Sequence, residues 1–134
     1  MTTNYTNTFI RVAQDSALTG PKVPAPREKQ SIAQLQYELL IDDPYALTSD
    51  DLLFDVHAIR KGIADEEREA AREEFFSKSQ ACLRASPLPK THGWGLHHDV
   101  ASRIALIPLG SDEYRRLSED EGVQQLHAMR SKRA

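Results

Sequence analysis

The stretch Ala81–Gly110, ACLRASPLPKTHGWGLHHDVASRIALIPLG, decides how the rest of the chain is read. It holds the only cysteine, the only tryptophan and three of the five histidines. Three short strands are predicted in it. The first, Cys82–Ala85, is halted by Ser86, Pro87 and Pro89. The second is Trp94–His98, and Asp99–Arg103 forms the turn after it. The third is Ile104–Leu109, where Pro108 marks an edge or a strand end because proline gives no ladder donor. The last two have the length and spacing of a hairpin. The remaining segments are expected to cover this sheet.

Upstream, Thr8–Ala13 (TFIRVA) reads as a strand, with Phe9, Arg11 and Ala13 on one side and Ile10 and Val12 on the other. Asp15–Lys29 collects Gly20, Pro21, Pro24 and Pro26, so it is a loop rather than a helix or central strand. Its length is unusual for a connection inside a compact domain and marks it as a candidate lid. Ser31 caps a helix to about Leu40 or Ile41, with Ile32, Leu35 and Leu39 at helical spacing. Pro44 ends it by moving Asp43 out of helical geometry. Thr48 or Ser49 caps a second helix, with Asp50 and Asp51 at its positive end and Gly62 as its stop. Its buried stripe is Leu52, Val56, Ile59 and Ile63. A third, mostly charged helix runs from Asp65 to about Ser77 and anchors through Phe75 and Phe76.

Downstream, Ser111 caps a short helix through Leu117. Gly122 interrupts the pattern, and Val123–Met129 reads as a last helical turn or two. Residues 1–7 and the basic end 130–134 are expected to be mobile.

The chain has 134 residues, which suits one domain with its own core. Its formal charge of −3 argues against a general nucleic-acid binder, and no run approaches the ~20 apolar residues of a bilayer span. The first residues, MTTNYTNTFIRVAQD, lack the pattern of a secretory signal, so a cytoplasmic location is the expectation. One cysteine excludes an internal disulfide and a multi-cysteine zinc site.

The segments CLRASPLPKTHGWGLHHD, RIAL and SDEYRRL resemble a family of bacterial proteins known only as a domain of unknown function. NTFIRVAQD, QYELLIDDPYALTSDDLLF and the final MRSKRA fit the same pattern, so the resemblance covers nearly the whole chain. Leu96 stands where that family more commonly has isoleucine. The resemblance implies one compact module and transfers no catalytic residue.

Within the centre, alternation puts Trp94, Leu96 and His98 on one sheet face and Gly93, Gly95 and His97 on the other. With Trp94 and Leu96 in the core, His97 stands above two residues without side chains. Either the glycines floor a pocket beside His97, or they admit a closely packed helix or loop. Arg84, beside His97, has the forked donors that suit a carboxylate or phosphate, against the plainer alternative of a structural ion pair. Cys82, His92 and His98 have no fixed metal-ligand spacing, so no metal and no cofactor is expected. His57 reads as a boundary histidine.

The expected fold is α+β: a small antiparallel sheet of three or four strands, covered by helices mainly on one face. Two functions fit it. One is a module that binds a small anionic ligand or a protein on the sheet face near Arg84, Trp94 and His97, without nucleic acid or membrane. The other is a small enzyme with His97 as acid–base and Arg84 as anion holder, within about 6 Å of each other.

Overall fold

The computed structural model describes residues 2–131. A four-stranded sheet carries the fold: β1 (Thr8–Arg11), β2 (Trp94–His98), β3 (Ile104–Pro108) and β4 (Gln124–His127), in the order β3-β2-β1-β4. The chain is α+β, as expected. The β1–β2 and β2–β3 pairs are antiparallel, whereas β4 runs parallel to β1, so the sheet is mixed.

The helices are α1 (Ile32–Ile41), α2 (Ser49–Lys61), α3 (Arg68–Phe76), α4 (Pro87–Thr91) and α5 (Asp112–Glu119). Their starts follow the capping residues. Ser31 accepts from Gln34 N, Ser111 accepts from Tyr114 N, and Thr48 forms a reciprocal box with Asp51. Gly62 closes α2 at φ +64°, a left-handed conformation that suits glycine.

The main core lies between one sheet face and α1, α2 and α4. Ile10, Trp94, Leu96 and Ile104 meet Leu35, Leu52, Val56 and Leu88 there. A smaller core forms on the other face, where Phe9, Val12, Ala105 and Ile107 lie under Tyr114 of α5. Strand alternation holds through Ile10 and then breaks: Val12 joins Phe9, while Ala13 joins Ile10. The break follows the end of β1 at Arg11.

Three expectations change. Cys82–Ala85 is not a strand: Leu83–Ala85 is a 3-10 turn with Leu83 buried in the main core. The prolines after it do not make a loop. Ser86 caps α4, and Pro87 takes the first helical position, where a missing N–H costs nothing. The predicted C-terminal helical turn is instead β4, because β1 offers an open edge: Asn7 O accepts from Gln124 N, and Arg11 O accepts from Ala128 N. The third helix is tied to the second by charge. Arg68 and Arg72 reach back to Asp55 and Asp51 of α2, at 2.5 and 3.0 Å.

Thr2, Thr3 and Asn4 bond to Asp50 at the start of α2. Residues 132–134 of the predicted mobile end lie outside the described residues. No helix among the described residues is long and apolar enough to cross a membrane.

Candidate functional site

Trp94 faces the main core, 6% exposed, with its ring tilted against Tyr37. Its Nε1 donates to Lys22 O at 3.0 Å, and Lys22 N donates to His92 O at 2.7 Å. The loop before α1 is thus pinned to the α4–β2 junction. Gly93 makes that approach possible. Its φ is +74°, and a Cβ there would collide with the Gly20 carbonyl.

His97 lies on the opposite face, between Phe9 and Ala105 on the neighbouring strands. Its Nδ1 shares a 2.8 Å hydrogen bond with the Tyr45 hydroxyl. Burial lowers the His97 pKa, against the pull of the Asp99, Glu113 and Asp120 charges, and burial raises that of Tyr45. No open floor adjoins His97. A Cβ on Gly95 would stand 2.6 Å from the Phe9 ring and 3.0 Å from that of Tyr114, so those rings occupy the space the glycine leaves.

Arg84 is not beside His97. Its Nε donates to His127 O at 2.7 Å, and its own carbonyl accepts from Met129 N, so it clamps the outer edge of β4. One strand, β1, stands between β4 and β2. Two strand spacings of about 4.8 Å already separate the residues. The structure therefore does not assemble Arg84, Trp94 and His97 into one site. Cys82 accepts from the Tyr5 hydroxyl at 3.1 Å; burial and that bond push the tyrosine pKa up to about 12. Among the described residues, no group of three His, Cys, Asp or Glu is placed to hold a metal ion.

The groove that stands out lies elsewhere, between the 22–30 loop and helices α1 and α2. It measures about 950 Å³ and brings together Lys22, Arg27, Lys29 and Arg60 with a single carboxylate, Glu28. All four cations are exposed, and none pairs with a carboxylate among the described residues. The backbone is held at both ends: Lys22 as above, and Arg27 through its N–H to Gln34 Oε1. The first turn of α1, Ser31 to Ala33, opens on the same space and adds its positive dipole end.

A model described as a family of unknown function, DUF6157, matches residues 1–134. The chain belongs to the DUF6157 family. No curated protein and no solved structure matches it.

In this DUF6157 chain the groove gathers exposed cations, an arrangement whose positive potential can attract an anion. Sequence reasoning missed it. The loop's length marks it in the sequence, but nothing there connects its charges to Arg60, about thirty positions on. The available signal is the run Arg27, Glu28, Lys29 two positions before the Ser31 cap, in a chain of net negative charge.

Proposed function

We propose that the protein is a binding module for small anionic molecules, held in the groove between the 22–30 loop, α1 and α2. The observation that carries this reading is the gathering of Lys22, Arg27, Lys29 and Arg60, without ion-pair partners among the described residues, in a chain whose formal charge is −3. Exposed cations left unpaired on an acidic body concentrate positive potential in one place, and a concave wall focuses it. Trp94 serves this site at a distance, by fixing the Lys22 carbonyl. The enzyme reading draws less support, because Arg84 is committed to β4 and gives His97 no anion holder.

Inorganic phosphate and acetate test the reading, titrated against a chloride control and read as a rise in melting temperature. Binding weakened about tenfold by R27A/R60A, a loss of about 1.4 kcal/mol, supports it. No rise with either anion discards it. A rise abolished by H97A but not by R27A/R60A moves the site to the sheet.

A further inference from the structure

The cationic groove does not end at its charges. Lys29, Ile32 and Arg60 also line an adjoining pocket of about 320 Å³, whose apolar wall is Ile32, Leu53, Val56 and Phe75 and whose remaining lining includes Gln36, His57, Lys61 and Gln80. Ile32 and Leu53 then border a further hollow of about 220 Å³ along Ala81, Cys82, Ala85 and Pro87. The three spaces share lining residues, so they adjoin one another, with the basic groove on one side and the hollow along residues 81–87 on the other. Ile32 stands at the junction of all three, 41% exposed at the first position of α1.

We propose that the ligand of these adjoining spaces is an amphipathic anion: a carboxylate or phosphate head with an apolar body of several carbons. This rests on the anion-binding reading and narrows it. Lys29 and Arg60 take the head, since both line the basic groove and the adjoining pocket. The guanidinium is suited to either head group, because its paired N–H donors match two oxygens. Ile32, Leu53, Val56 and Phe75 take the body. The middle pocket lies at the small end of ligand sites, roughly 300–1,000 Å³, which fits a medium-length chain or one aromatic ring and excludes a large cofactor. Charge complementarity sets the direction: Lys29, Arg60 and Lys61 supply the cations of the middle pocket, so the head of a bound molecule lies beside them.

A chain-length series tests this: acetate, butyrate, hexanoate and octanoate, with hexyl phosphate beside inorganic phosphate, each titrated calorimetrically into the wild type, R60A and I32S. Affinity is expected to climb about twofold to fourfold per methylene along the carboxylates. R60A is expected to weaken every member about tenfold. I32S, at an exposed position that leaves the fold intact, is expected to weaken octanoate and hexyl phosphate while sparing acetate and inorganic phosphate. The better of the two six-carbon probes identifies the head group. A flat series, with inorganic phosphate still bound and still sensitive to R60A, overturns the amphipathic ligand and leaves the anion site standing. Absence of binding by every probe overturns both.

Discussion

His98 is fully buried on the main-core face, its ring edge-on to Tyr5. Backbone of Leu96 and Thr8 lies near it, yet neither ring nitrogen completes a hydrogen bond among the described residues. Burial lowers its pKa from 6.5 to about 4. The unfolded chain therefore takes up a proton as pH falls through 6.5, and the folded chain does not until about 4. Stability is full above pH 6.5 and declines toward pH 4, by about 3 kcal/mol for this residue. Half-buried His97 adds to the loss in the same direction. Urea unfolding from pH 7.5 to 4 is expected to show this decline, and H98F, which keeps an aromatic ring without titrating nitrogens, should flatten it. An equally steep profile in H98F would contradict the assignment. Gly95 offers a second expectation at this scale. G95A sets a methyl group against the fully buried Phe9 ring, so it should cost about 1–3 kcal/mol of unfolding free energy.

At the scale of elements, β4 depends on a clamp that no local pattern encodes. Arg84 holds its outer edge through the His127 carbonyl, while β1 holds the inner edge. R84A is expected to lower stability by about 1–2 kcal/mol and to speed hydrogen exchange across 124–128, with anion binding unchanged. R84K should not restore it, because lysine has no donor at the Nε position. Unaltered exchange in R84A would show that the clamp contributes nothing. What was legible here follows from chemistry that acts locally. The Ser31, Thr48 and Ser111 caps, the Gly62 stop and the Trp94–Ile104 hairpin all announce themselves within a few residues. β4 does not: Val123, Leu126 and Met129 recur at a spacing that suits a helix, and only the open edge of β1 makes the segment a strand. The position of Arg84 escapes local reading for the same reason. Its segment looks extended, but Leu83 is drawn into the core and the backbone turns.

For the whole molecule, the distribution of charge matters more than its sum. Asp51 and Asp55 of α2 are paired with Arg72 and Arg68 of α3, whose guanidinium groups also lie over the Phe54 ring. The cations around 22–29 and Arg60 are left to face solvent. If their field attracts ligands, affinity for inorganic phosphate should fall as added salt shortens the screening length from about 10 Å at 0.1 M to about 3 Å at 1 M. A salt-independent affinity would point to a desolvated site instead. This site was hidden in the sequence because its charges meet only after Trp94 and Gly93 seat the loop.

The placement of β1 bears on how the protein is made. Its two neighbours in the sheet begin at residues 94 and 124, while it ends at residue 11. At ~5–20 residues per second, a ribosome exposes Phe9 and Ile10 on the order of ten seconds before any partner strand emerges. During translation that strand is an orphan, so the sheet begins to assemble only once β2 has emerged.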